Sequence, residues 1–141
     1  MTDPTYARIK ASFERQNLMQ TFGATLTSVG NGAVEITAPI GENVKQQQGF
    51  AHAGLTFALG DTAAGYAALS VMPLDNEVVT AELKINLLAP GIGAHLIARG
   101  RVLKPGRRLV VVASDVFAIH AGTETHIAAL QGTMVPVPKS L

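Results

Sequence analysis

The 141-residue chain contains no cysteine and no tryptophan, and only 5% of it is aromatic. Without a thiol, disulfides, thiolate nucleophiles and cysteine-ligated zinc or iron–sulfur clusters are excluded, and the redox compartment leaves no mark. An excess of one charge is also missing. Eleven basic residues against 10 acidic ones leave a net charge of +1, so no general pull toward nucleic acid or an anionic membrane is expected. No hydrophobic run reaches the roughly 20 residues of a membrane span. The longest, Ala63 to Met72, is interrupted by Gly65 and Ser70 and stopped by Pro73. The opening MTDPTYARIK has no apolar stretch after its charges, so no secretory leader is expected and a cytoplasmic location is the default. Repeats, low-complexity tracts and a phosphate-cradling glycine loop are missing too, which argues against nucleotide hydrolysis.

What is present is apolar. At 48% hydrophobic, 15% charged and a mean hydropathy of +0.27, the chain fills one core over residues 1–141, with apolar surface to spare for another copy of itself. Asp3 as N-cap and Pro4 at the first helical position open an N-terminal helix over about residues 4–22, with Ile9 and Phe13 on its apolar face and Gly23 as its stop. Two β-rich runs around Gly30-Asn31-Gly32 then read as a hairpin. A polar loop, GENVKQQQGF, leads to the one interior stretch Ala- and Leu-rich enough for a buried helix, Ala51 to Met72.

Strands follow. In Val78 to Leu88 the alternation puts Val79, Ala81, Leu83, Ile85 and Leu87 on one face and Thr80, Glu82, Lys84 and Asn86 on the other. His95 to Leu103, Leu109 to Ile119 and Thr125 to Val135 complete an antiparallel meander of four strands. The predicted class is α+β, one antiparallel sheet wrapped around a long central helix. Val110, Val111 and Val112 are apolar on both faces of their strand, which points to a subunit contact outside.

Between Phe50 and Leu74 the only formally charged side chain is Asp61. Burying an ionised carboxylate costs several kcal/mol, so it requires a partner or a task. Helical spacing puts it on a stripe with Gly54, Ala58, Gly65 and Ala68, small enough to admit a helix, a strand or a ligand. Spacing alone leaves a hydrogen-bonded structural carboxylate equally open. The helix start at His52-Ala53-Gly54 offers backbone N–H groups at the positive end of the helix dipole, able to polarise a carbonyl oxygen. Asp61 lies about 12 Å further along the axis, too far to act on the same carbonyl from one helix. If both serve one site, Asp61 comes from a second copy whose helix runs antiparallel.

The stretch GFAHAGLTFALGDTAAGYAA resembles the signature of hotdog-fold acyl-CoA thioesterases of the phenylacetate, or PaaI, type. The likeness extends through TFGATLTSVGNGAVEITAPI, VVTAELKINLLAPG and ARGRVLKPGRR. It implies a catalytic carboxylate at Asp61, acting as general base or nucleophile, and a motif histidine at His52. A polarising N–H falls at Ala53, followed by Gly54, where the family has Gly-Gly. The family's substrate-placing Asn falls on Gln46, with Gln48 able to take its role, and its carboxylate partner on Thr80. Arg107 and Arg108, with Lys104, could meet coenzyme A phosphates or simply be solvated. The resemblance implies hydrolysis of an acyl-CoA, aryl-acyl-CoA included, by a homodimer at minimum and commonly a homotetramer. It implies no cofactor and no metal. The alternative is a hotdog protein that binds acyl-CoA or another hydrophobic ligand without turning it over. A hotdog dehydratase is less well served, because the helix lacks a His–carboxylate pair. His95, His120 and His126 have no triad or metal spacing, and Ser114-Asp115 lacks a nucleophile elbow.

Overall fold

Asp3 accepts the Thr5 N–H at 2.9 Å and Pro4 opens the first turn, giving α1 (Pro4–Glu14), which buries Ile9 and Phe13. The computed structural model describes residues 3–139. The single helix expected to about Phe22 is two: the chain breaks at Gln16, which is extended, and restarts as α2 (Asn17–Thr21). Continued without a break, the buried stripe would next meet the polar residues Gln16, Asn17 and Gln20. The break instead buries Met19 and lets Gln16 Nε2 donate to the Tyr66 hydroxyl at 2.8 Å.

After Gly23 at φ +66, β1 (Thr25–Gly30) and β2 (Ala33–Pro39) form the expected hairpin. A 3-10 turn (Glu42–Val44) and the polar loop lead to α3 (Ala53–Leu69). α3 is shorter than the Ala51–Met72 stretch: Ala51 bridges to Lys45, and Met72 lies past the last turn. Then come β3 (Asn76–Leu87), β4 (His95–Lys104), β5 (Val110–His120) and β6 (Thr123–Pro138). They form one antiparallel sheet in the order β1-β2-β4-β5-β6-β3.

The four-strand meander is therefore corrected to three, β4-β5-β6. α3 carries the chain across the sheet face to the far edge, where β3 pairs with β6, and residues 88–94 return it to β2. α3 lies so close to β4 that a Cβ on Gly100 would sit 2.3 Å from the Ala63 carbonyl carbon. Leu55, Leu59 and Ala63 meet Ile36, Leu96, Val112 and Val116 in the core. At the other end, Arg8 of α1 donates to the carbonyls of Leu69 (2.5 Å), Met72 (3.0 Å) and Pro73 (2.6 Å), tying the N-terminal helix to the end of α3 and the segment that follows it. No helix of the described residues is long and apolar enough to cross a membrane.

β3 carries the second correction. Its register against β6 shifts between Thr80 and Glu82, a bulge at Ala81. An extra residue there switches faces, so Val78 and Thr80 before it, and Leu83 and Ile85 after it, all turn toward α3. Strict alternation put Thr80 opposite Leu83. Val79 is instead on the outer side and 44% exposed.

Candidate active site

His52 precedes α3 in an extended conformation (φ −63°, ψ 141°), and its Nδ1 accepts the Gly54 N–H at 2.7 Å. An accepting Nδ1 carries no proton, which leaves Nε2 as the ring's donor. A Cβ at Gly54 would lie 3.0 Å from Nδ1, which explains a glycine beneath the ring. The N–H pair offered by Ala53 and Gly54 is thereby reduced. Gly54 is spent on the cap, and the Ala53 N–H has no acceptor among the described residues. It opens on a cleft of about 500 Å3 lined by Gln48, Phe50, His52, Leu87, Leu88 and Ile127.

The loop before the helix is organised by Gln46. Its Oε1 accepts the Gln48 N–H at 2.5 Å and the Phe50 N–H at 3.3 Å, and its Nε2 donates to Gln48 Oε1 at 3.2 Å. Backbone bonds from the Gln46 N–H to the Phe50 carbonyl and from the Gly49 N–H to the Gln46 carbonyl close the turn, with Gly49 at φ +86. Gln46 thus shapes the cleft wall, and Gln48 shares that wall with it.

Asp61 is half-buried on the face of α3 that the chain's own sheet leaves open, along with exposed Gly54 and Phe57. Thr80 Oγ1 donates to its Oδ1 at 2.7 Å, aimed there by the bulge. Gly65 and Ala68, further along the predicted stripe, are buried. Asp61 does not line the cleft at Ala53. One chain therefore holds Gln46, Gln48, His52 and Ala53 together at one end, and Asp61 with Thr80 two turns away.

Arg107 and Arg108 lie in the β4–β5 connection, where Arg107 lines a separate groove with Val71, Met72 and Pro136 beyond the C-terminal end of α3. His126 Nε2 lies 2.9 Å from Asp115 Oδ1, stacks on Phe117 at 4.9 Å and belongs to an ionic cluster on the outer sheet face. On the other side of Phe117, Arg99 pairs with Glu124 and holds that carboxyl below the usual carboxylate range, and Glu124 raises Arg99 in return. Ser114 is buried, and its hydroxyl has no partner among the described residues. None of those residues form a cluster of three His, Asp or Glu able to hold a metal ion. Phe50, Leu87 and Ile127 were not singled out from sequence as cleft residues, because nothing in their spacing marks a side chain that only tertiary structure brings to the helix start.

A sheet curled around one long helix, with a bare N–H at its start and a carboxylate two turns on, defines a hotdog-fold protein. The sequence pattern of the thioesterase superfamily matches residues 48–124, and the chain belongs to that superfamily, a family of hydrolases. A thioesterase family protein from Silicibacter pomeroyi superposes with a TM-score of 0.93 at 36% identity, over 95% of this chain and 98% of that one. A Bacillus halodurans protein solved with CoA superposes at 0.77 with 25% identity, over 95% and 86%. PaaI of the E. coli phenylacetic acid degradation operon shares the fold at 0.84 with 21% identity, over 95% and 94%.

Proposed function

We propose that the protein is a cytoplasmic acyl-CoA thioesterase whose site is shared between two copies of the chain. The observation that carries this is the separation itself: a bare Ala53 N–H opens on an apolar cleft, and a Thr80-oriented carboxylate stands about 12 Å away on an uncovered helix face. β3 supports the same pairing. It is a twelve-residue edge strand with Val79 and Leu87 exposed, a surface that a second strand would cover. α3 and β3 run antiparallel, with Asp61 beside Thr80 and Ala53 beside Leu87. Setting Thr80 of one strand abreast of Leu87 in the other centres a two-fold axis near Leu83 and Lys84, within the strand. That arrangement brings the partner's Asp61 to Ala53. It also turns the partner's Arg107 and Arg108 toward the mouth of the cleft, where they would meet the phosphates of coenzyme A. The outward Val111 suits pairing of dimers into tetramers.

In this reading the thioester carbonyl rests on the Ala53 N–H, with Gln46 and Gln48 holding the substrate or water beside it. The partner's Asp61 takes a proton from water as the oxygen attacks the carbonyl carbon. The C–S bond then breaks, and the thiolate of coenzyme A leaves with that proton. Direct attack by the carboxylate, through a mixed anhydride that water then opens, uses the same placement. The Bacillus halodurans neighbour solved with CoA supports the substrate class.

A second reading, binding without turnover, is favoured by the Ala53 methyl where the family has glycine and by the engagement of Gln46 Oε1 in its own loop. A thiol-release assay over acyl- and aryl-CoAs separates the two. Hydrolysis that falls about a hundredfold or more in Asp61→Asn, the scale of losing a general base, supports the enzyme. Tight binding with no thiol release supports the binder.

A further inference from the structure

We infer that Phe57 lies on the two-fold axis between two copies of the chain, its ring against the partner's Phe57, and that this pair of rings sets the gap across which the partner's Asp61 reaches a carbonyl held on Ala53; this deepens the shared-site reading above and rests on it. The other large apolar side chains of α3, Leu55, Leu59, Tyr66 and Leu69, are buried in the chain's own core. Phe57 is not. It stands 36% exposed on the open face of the helix, where its neighbours are Gly54, Ala58 and Asp61. It does not line the cleft at Ala53, so contact with a ligand there does not account for it.

Its position in the helix fixes the role. Ala53, Phe57 and Asp61 follow one another at intervals of four residues, so they share a face, and Phe57 stands about 6 Å along the axis from each of the others. An antiparallel pairing that sets the partner's Asp61 level with Ala53 also sets the partner's Ala53 level with Asp61. A residue halfway between then meets its own copy, and that residue is Phe57. The strand agrees with this axis. Asp61 is bonded to Thr80 and Ala53 shares the cleft with Leu87, so Phe57 falls level with the middle of that span, near Leu83 and Lys84.

The chemistry demands a close and definite gap. A carbonyl on the Ala53 N–H, the attacking water and the carboxylate that takes its proton, each at hydrogen-bond or near-attack distance from the next, together span less than about 10 Å. The two helices must therefore approach to about the 8–10 Å of direct helix packing. Gly54 and Ala58 permit that approach but are too small to define it. Two phenylalanine rings at the axis, offset or tilted with centroids about 4.5–7 Å apart, supply the missing spacer. By symmetry the one contact sets both sites of the dimer at once.

The chain has no cysteine of its own, so single introduced thiols report the geometry directly. Phe57→Cys protein, treated at high dilution with a short bis-maleimide, should join into covalent dimers, because only a residue at the axis faces itself. Ala53→Cys and Asp61→Cys chains, each about 12 Å along the axis from its own copy, should join when mixed and not when separate. Links from the mixed chains without any from Phe57→Cys overturn the inference and leave the shared site standing. No link from the mixed chains, in a folded oligomer, removes the shared site and the inference with it. The spacing role is read by thiol release from assembled dimers. Phe57→Ala should lower kcat about tenfold or more with KM held within about threefold, since the helices lose their spacer while the cleft keeps its lining. Phe57→Leu, which restores bulk, should recover most of that loss. A wild-type kcat in the Phe57→Ala dimer, or a loss carried by KM alone, overturns the spacing role.

Discussion

Replacing Ala53 with proline deletes one donor and changes little else. Ala53 is the first residue of α3, where no helical hydrogen bond uses the N–H and where proline is tolerated. A residue before proline must be extended, and His52 already is, at φ −63° and ψ 141°. The fold should therefore survive, and restricting the unfolded chain should leave stability unchanged or raise it by about 0.4–1 kcal/mol. The Gly54 N–H is held by His52 Nδ1 at 2.7 Å and does not substitute without breaking that cap. Losing the one remaining donor should raise the barrier by about 2.7–4 kcal/mol, a loss of roughly a hundred- to a thousandfold in kcat. Thiol release and thermal melting, measured on the same preparation, read both effects, with Ala53→Gly as a control that keeps the N–H and should retain turnover. A folded Ala53→Pro oligomer with wild-type kcat refutes the assignment of the helix start.

Thr80→Val removes the bond to Asp61 while preserving shape. Bonds to charged groups are worth about 1.5–3 kcal/mol, and water can partly replace this one at a half-buried carboxylate, so kcat should fall about tenfold. A kcat at the wild-type value in a folded oligomer would leave Thr80 a packing residue. Ser114→Ala removes a buried hydroxyl that has no partner among the described residues, a burden of about 1–3 kcal/mol, so the melting temperature should rise by about 3–10 °C. A lower melting temperature would mean that the hydroxyl is bonded after all.

Much of the fold is legible in the sequence because the periods are clean. The first hairpin, the central helix and the strand segments are all present at the stretches that alternation, turn residues and Pro73 mark out, with α3 ending at Leu69, short of Pro73. Three features are not legible. The break at Gln16 is decided by Tyr66, fifty residues away, whose hydroxyl is met by Gln16 and Ser12. Strand order is decided by the path of α3 across the sheet, which alternation does not encode. The bulge at Ala81 leaves only a faint trace, the inward residues Val78 and Thr80 falling out of step with Leu83 and Ile85. At the candidate site, Asp61 is conspicuous as the single charge in an apolar helix. The engagement of Gly54 by His52 is less visible, because it depends on a ring orientation that residue spacing does not fix.

The central claim is that Ala53 of one chain works with Asp61 of another. Co-expressing Ala53→Pro and Asp61→Asn chains, so that subunits mix, tests it most directly. Each homo-oligomer should be nearly inactive. In a two-fold dimer containing one chain of each kind, one of the two sites combines an intact Ala53 with the partner's Asp61, so random mixing should restore about a quarter of wild-type turnover. Confirmed mixed dimers that release no thiol above the level of the separate variants would contradict the shared site.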